Sequence, residues 1–314
     1  MSEEYPKTLA DFERWFATEE TCRELLSKLR WPDGFICPRC QGRKGWPTAR
    51  DLWVCKTCGH QASLTAGTIF QDTRKPLMLW FRAMWWVTSQ KNGASALGLQ
   101  RVLGLGSYRT AWTWLHKMRR AMVRPGRDRL RGAVEVDETY LGAIEQGVRG
   151  RGTANKALIV VAAEQNGRAI GRIRMRRILD ASAASLHAFI RDSVEAGGQI
   201  HTDGWKGYQG LEKRGYGHQV TIGRAVATPD DLLPRIHLVV SLLKRWLLGT
   251  HQGAVSDAHL DYYLDEFTFR FNRRTSRHRG KLFHRLLEQA VAVDPVPYRV
   301  MIKHARGRKA TYKM

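Results

Sequence analysis

Four of the five cysteines stand in two pairs, Cys37-Pro-Arg-Cys40 and Cys55-Lys-Thr-Cys58, with fourteen residues between the pairs. Each pair lets two thiolates reach one ion from a tight turn, and the intervening length lets the second turn fold back beside the first. Four sulfurs gathered in this way suit one tetrahedral Zn2+. A closed four-thiolate shell keeps no open position, so it folds a segment too small for its own core instead of performing chemistry. The competing reading is redox-active or merely buried thiols. Cys22, outside both pairs on an apolar helical face, reads as core. Arg39, Arg43, Lys44, Arg50 and Lys56 surround the quartet and suit either nucleic-acid phosphates or a protein surface.

Two of the 29 acidic residues stand in settings that invite chemistry. Asp137 lies in Val134-Glu135-Val136-Asp137-Glu138-Thr139-Tyr140, on the first strand of an α/β domain, and Asp203 in His201-Thr202-Asp203-Gly204-Trp205 at the C-terminal end of a later strand. Strand ends of open α/β sheets are where functional groups collect. Two carboxylates converging there can hold hard divalent cations, Mg2+ above all. A pair of such ions activates a water or a 3′-hydroxyl on one side of a phosphodiester and neutralises the leaving oxygen on the other. Either aspartate taken singly would be a cap or a surface group.

The elements that must position these groups follow from the patterning. The 314 residues suggest about two domains, and 43% hydrophobic content supplies a real core and excludes wholesale disorder. Fifty-two Lys and Arg against 29 Asp and Glu leave a net charge of +23, which makes nucleic acid the expected partner. Neither a targeting signal nor a membrane-spanning run is present, and the cysteines are too few and clustered for a disulfide framework, so a reducing, cytoplasmic setting in association with DNA is expected. Spaced apolar residues from Leu9 to Leu29 form one or two short helices (1–31), followed by the zinc-ribbon segment (32–72). Strand signals start at Ala133 and recur at 157–163, 172–178, 199–203 and 218–222, with a helix over 182–195. Strands with intervening helices indicate an α/β domain with a mixed sheet over 131–275. Residues 270–314 hold thirteen Lys or Arg against two acids, and 276–314 reads as a basic tail.

Between ribbon and sheet, 73–125 reads as a helix-turn-helix. A bulky helix covers 76–90, Ser95 caps a second through Leu103, and Gly104-Leu-Gly-Ser107 turns into a third from Tyr108 to Met122. Tyr108, Arg109 and Thr110 would meet base edges at the start of that third helix. Lys117, Arg119 and Arg120 would reach phosphates, and Trp112, Leu115 and Met118 would face inward. Such three-helix units also bind protein.

Taken together, these segments resemble bacterial insertion-sequence transposases of the DDE superfamily, in the zinc-ribbon-bearing, ISXO-type branch. The resemblance is carried by the cysteine quartet, Val136-Asp137-Glu138-Thr139-Tyr140 and His201-Thr202-Asp203-Gly204-Trp205. It continues through Leu243-Lys244-Arg245-Trp246 with Gly249-Thr250-His251, and through Tyr263-Leu264-Asp265-Glu266-Phe267 to Arg270-Phe271-Asn272-Arg273-Arg274. It implies an RNase H-like catalytic domain, two Mg2+ or Mn2+ ions, and action as a homo-oligomer, at least a dimer, on terminal inverted repeats. It also implies 3′-end cleavage followed by strand transfer into target DNA.

Within that family pattern Asp137 and Asp203 take the first two catalytic positions. The third, usually Glu, falls at His237, seven residues before Lys244, which would face a substrate phosphate. An imidazole there is a neutral ligand that favours Mn2+ over Mg2+. Asp230, Asp231 or Glu266 are alternative sources of a third carboxylate, and loss of catalysis with retention of sequence-specific DNA binding is the alternative function. Arg270, Arg273 and Arg274 are expected to grip the DNA backbone from a C-terminal helix.

Overall fold

A computed structural model describes residues 5–48, 52–124, 126–142, 156–222, 232–253 and 255–304. The chain divides into two compact units, one of Met1–Arg124 with Thr275–Ile302 and a second built on Pro125–Arg274. Among the described residues, no helix is long and apolar enough to cross a membrane.

The first unit opens with helices α1 (Leu9–Trp15) and α2 (Glu19–Arg30), which lead into a three-stranded antiparallel sheet of β1 (Gly45–Pro47), β2 (Leu52–Cys55) and β3 (Gln61–Ser63). Trp31, Phe35 and Trp53 form an aromatic floor for this sheet, with the Phe35 and Trp53 rings stacked at 5.2 Å. Helix α3 (Leu77–Ser89) follows, bulky and buried over most of its length. It has no side-chain cap of its own. Instead the Glu19 carboxylate accepts from the amides of Leu77 (2.7 Å) and Met78 (3.0 Å), taking up donors that would otherwise be orphaned.

Helix α4 (Ala96–Leu103) is capped by Ser95, whose Oγ accepts from the Gly98 amide at 3.0 Å. It ends at Gly104 in the left-handed region (φ +61°), where any side chain would be strained. Helix α5 (Tyr108–Ala121) starts one residue after Ser107, which holds the cap position without making the expected side-chain hydrogen bond.

In the second unit β4 (Ala133–Leu141), β5 (Ala157–Asn166), β6 (Ala169–Ile178), β7 (Gln199–Thr202) and β8 (Gly217–Val220) form one sheet in the order β6-β5-β4-β7-β8. The first three strands pair antiparallel, whereas β4–β7 and β7–β8 are parallel. This is the RNase H-like mixed sheet, preceded in the chain by the cysteine-bearing ribbon. Helix α6 (Ala183–Ser193) covers one face, packing Leu186, Phe189 and Ile190 on Val134, Val136, Val160 and Ala162. Helices α7 (Pro234–His251) and α8 (Leu260–Phe271) cover the other, with Ile236, Val239, Leu243, Leu264 and Phe267 over Ile159, Val161 and Ile173. Edge strand β6 is guarded by charge, because Arg172, Arg176 and Arg177 pair with Glu164, Asp192 and Asp261.

The segment expected to be a basic tail behaves differently. Residues 279–292 form α9 and residues 298–304 form α10, and α9 packs against α2, α3 and α5 of the first unit. Leu282, Phe283, Leu286, Leu287 and Ala290 are buried, and Phe283 meets Phe12, Phe16, Phe81 and Trp85. Of the cations on α9, Lys281 is exposed and Arg279 and Arg285 are half-buried. At about 1.5–3 kcal/mol per buried large apolar side chain, its four large residues contribute on the order of 6–12 kcal/mol before entropy is counted.

Candidate functional site

The ribbon brings its four cysteines together. Their sulfurs all lie within 4.8 Å of one another, and among the described residues no other set of three or more potential ligands does so. Cys37 and Cys58 stand 3.7 Å apart and Cys40 and Cys55 3.6 Å. Thiolates bonded tetrahedrally to zinc at about 2.3 Å stand about 3.8 Å apart, so the quartet already has the spacing of a structural zinc shell. Gly45 lets the ribbon close, because a Cβ there would lie 2.6 Å from Phe35 and 2.7 Å from the Val54 carbonyl.

On the mixed sheet, the parallel ladder pairs Ala133 with Gln199, Val134 with Ile200 and Glu135 with His201. The same register carried two residues further sets Asp137 level with Asp203, where β7 has just ended. Neighbouring strands run about 4.8 Å apart. Side chains alternate along β4: Val134 and Val136 enter the core beneath α6, and Leu141 enters the core on the α7 side. By this alternation Asp137 lies on the α7 face of β4.

Both aspartates are half-buried and both are oriented by backbone. The Glu138 amide donates to Asp137 Oδ1 at 2.8 Å, and the Trp205 amide donates to Asp203 Oδ1 at 2.9 Å. Trp205 is tied down in turn, its indole N–H donating to the Ala181 carbonyl at 2.8 Å. Beneath the pair lies Tyr208, whose hydroxyl donates to Glu138 Oε2 at 2.7 Å. Burial raises the Tyr208 pKa well above the usual tyrosine value, and the negative charges of Glu138, Asp137 and Asp203 raise it further.

Helix α7 is fastened to the same strand. It begins at Pro234, which has no N–H, and its N-cap Leu233 offers no side-chain acceptor. Glu135, fully buried two residues before Asp137, supplies that acceptor. Its Oε2 takes the amides of Arg235 (2.9 Å) and Ile236 (3.1 Å), and its Oε1 takes the Arg235 guanidinium at 2.8 Å. His237 follows at once and is half-buried, while Lys244, two turns along the same face, is exposed. His201, opposite Glu135 in the ladder, has its pKa lowered by burial, an effect that the Glu135 charge partly offsets.

Comparison with known proteins decides what this arrangement belongs to. Residues 129–272 match the ISXO2-like transposase domain, and residues 17–61 match the transposase zinc-ribbon domain. In these two segments the chain matches both domain models of the zinc-ribbon-bearing ISXO2-like transposases. It is similar to an uncharacterised protein in the transposable element ISH50 of Halobacterium salinarum, at 28% identity covering 85% of this chain and 94% of that protein. DDE-type transposition is accordingly the class of activity of the family.

Several residues expected in the transposase site are placed otherwise. Among the described residues, Asp137, Asp203 and His237 do not form a three-ligand cluster of the kind the cysteines form. Glu266, the alternative third carboxylate, is fully buried, and its Oε1 accepts both Nε (2.9 Å) and Nη2 (2.8 Å) of Arg270. Its helix packs on β6, two strand spacings or roughly 10 Å from β4. Asp230 and Asp231 lie outside the described residues.

The three arginines expected on DNA are engaged within the protein. Arg270 pairs with Glu266, and Arg273 covers the Phe269 ring at 4.1 Å. Arg274 covers Phe271 at 4.1 Å and donates to the carbonyls of Gly171 and Ile170, fixing the end of α8 to the sheet edge. Asn272 adds a two-way bond to Ile173 of β6, at 2.7 and 3.1 Å.

On α5, Tyr108 and Arg109 are exposed and Thr110 is half-buried, at the end expected to read bases. The phosphate assignments fare differently. Arg119 is 2% exposed, and the Lys117 ammonium turns inward to the Gln71 carbonyl (3.3 Å), where burial lowers its pKa. Arg120 is half-buried. Besides its expected inner residues Leu115 and Met118, α5 buries Trp114, His116 and Arg119, and it packs against α9 as well as α4. A helix read in isolation shows one inner face, and this one has two.

Proposed function

We propose that the protein is a DNA transposase that binds the terminal inverted repeats of an insertion sequence and performs 3′-end cleavage and strand transfer at Asp137 and Asp203. What supports this reading is the parallel register of β4 and β7, which, carried just past the end of β7, sets Asp203 level with Asp137 on the neighbouring strand. Divalent cations held by Asp137, Asp203 and His237 would supply activation of the attacking hydroxyl and neutralisation of the leaving oxygen. Around them the chain's own groups set the geometry. The Glu138 and Trp205 amides aim the carboxylates, Glu135 locks the start of α7, and Lys244 offers its ammonium to a substrate phosphate. The cysteine quartet holds one structural zinc, and α5 presents Tyr108, Arg109 and Thr110 to the major groove.

The test uses full-length protein with a duplex selected from a randomised pool by its own binding, joined to a plasmid target in Mg2+ or Mn2+. Asp137→Asn and Asp203→Asn should each lower strand transfer to below about a hundredth of the parent rate, more than roughly 2.7 kcal/mol of transition-state stabilisation, while DNA affinity is kept. Parent protein that binds the duplex but neither nicks nor joins it in either metal would make the chain a DNA-binding protein without catalysis. His237→Glu should shift the preference from Mn2+ toward Mg2+.

A further inference from the structure

The last described helix returns to the reading end of α5. Arg109, exposed in the first turn of α5, holds its guanidinium carbon 5.1 Å from the centroid of the Tyr298 ring, which belongs to α10. The same ring meets Trp112 edge-on, with centroids 6.1 Å apart and planes at 85°. Trp112 in turn rests on His116 at 4.0 Å. The ring of Tyr298 is thus braced by the body of α5 while it supports the one long cationic side chain at its tip.

Stacking occupies only the flat face of a guanidinium. The N–H donors lie in its plane and stay directed outward, so a stacked arginine keeps its two-pronged donor edge while losing the freedom to swing away. Such an edge matches the paired O6 and N7 acceptors of guanine in the major groove.

We propose that Tyr298 is a positioning residue for sequence recognition: it holds Arg109 in a fixed orientation for a guanine, and α10 is thereby part of the DNA reader. The inference rests on α5 being the recognition helix. It goes further in assigning specificity at one G·C pair to a residue from the far end of the chain.

A double-mutant cycle on the full-length protein tests it, with binding measured in metal-free buffer to the duplex selected by the parent from a randomised pool. The four proteins are parent, Arg109→Ala, Tyr298→Ala and the double variant, each also scanned against duplexes with single G·C pairs replaced. Arg109→Ala should weaken binding by about 5- to 150-fold, the range for loss of one bidentate base contact, and should erase the preference at one G·C pair. Tyr298→Ala should relax the preference at that same pair, and the double variant should bind within about twofold of Arg109→Ala. Tyr298→Phe, which keeps the ring face, should restore the preference. Tyr298→Ala that leaves the preference intact, or losses that multiply independently, would overturn the inference while leaving the α5 assignment standing. Arg109→Ala without effect would instead refute that assignment, and the inference with it.

Discussion

Replacing Glu135 by alanine is the perturbation whose effect the structure defines best. The Glu135 side chain is 1% exposed and that of Arg235 20% exposed. Truncation strips the acceptor from two α7 amides and from the guanidinium at one stroke. Losing the helix cap costs about 1 kcal/mol. Breaking a buried ion pair by removing one partner costs about 3–5 kcal/mol. Arg235 keeps partial access to water and a second bond to the Gly167 carbonyl at 3.1 Å, which places the pair at or below the low end. The sum is about 3–4 kcal/mol, a large fraction of the roughly 5–15 kcal/mol that holds a domain together. With about 2–4 °C per kcal/mol for a unit of this size, the sheet domain should melt about 6–16 °C lower. Glu135→Gln retains an acceptor oxygen and should lose about half as much. Differential scanning calorimetry of the full chain, alongside strand transfer below the transition, reads both consequences. An Ala variant within about 1 kcal/mol of the parent would refute the claim that β4 anchors α7.

Three further outcomes are expected. Chelation of zinc, or Cys40→Ser, should remove the structural metal and open the ribbon to limited proteolysis while the mixed sheet still melts cooperatively, as metal analysis and peptide mapping would show. Burial opposes the Glu164 charge, but the Arg172 guanidinium and the amides of Arg131 and Arg172 prevail and hold its pKa down at about 2. Its contribution to stability is therefore complete above pH ~4.5 and lost as pH falls from there toward 2, so Glu164→Gln should flatten the melting-temperature profile in that window. Arg119→Ala should destabilise the first unit by about 1–3 kcal/mol and leave the salt dependence of DNA binding unchanged, opposite to the effect of removing a phosphate contact.

Much of this was legible in the amino-acid order because local rules govern it. CxxC spacing dictates where sulfurs can meet, and the apolar run Ala157–Ala163 has few options other than a buried strand. Ser95 and Gly104 mark the limits of α4 by cap chemistry alone. Asp137 and Asp203 could be singled out because each interrupts or ends an apolar strand pattern. What escaped was long-range. Glu135 interrupts the same run as Asp137, yet nothing local says that it caps a helix a hundred residues away. The arginines at the end of α8 and on α5 look like free cations in sequence, since charge alone does not reveal whether a carboxylate, a carbonyl or an aromatic ring will be waiting. The stripe Leu282, Phe283, Leu286, Leu287 and Ala290 stands at helical spacing, but the positive charge around it points to a basic tail on DNA and not to a packed helix.

The fold of the first unit from both extremities also sets an order of events during synthesis. The sheet domain, encoded in the middle, has all its strands once Val220 has emerged and its covering helices once Phe271 has. The N-terminal unit must wait with an unsealed aromatic surface around Phe12, Phe16, Phe81 and Trp85 until α9 arrives to close it. At about 5–20 residues per second the sheet unit is thus complete in sequence a few seconds before α9 emerges. A chain cut short before α9 would yield a folded sheet attached to an exposed aromatic surface, a product suited to aggregation or degradation.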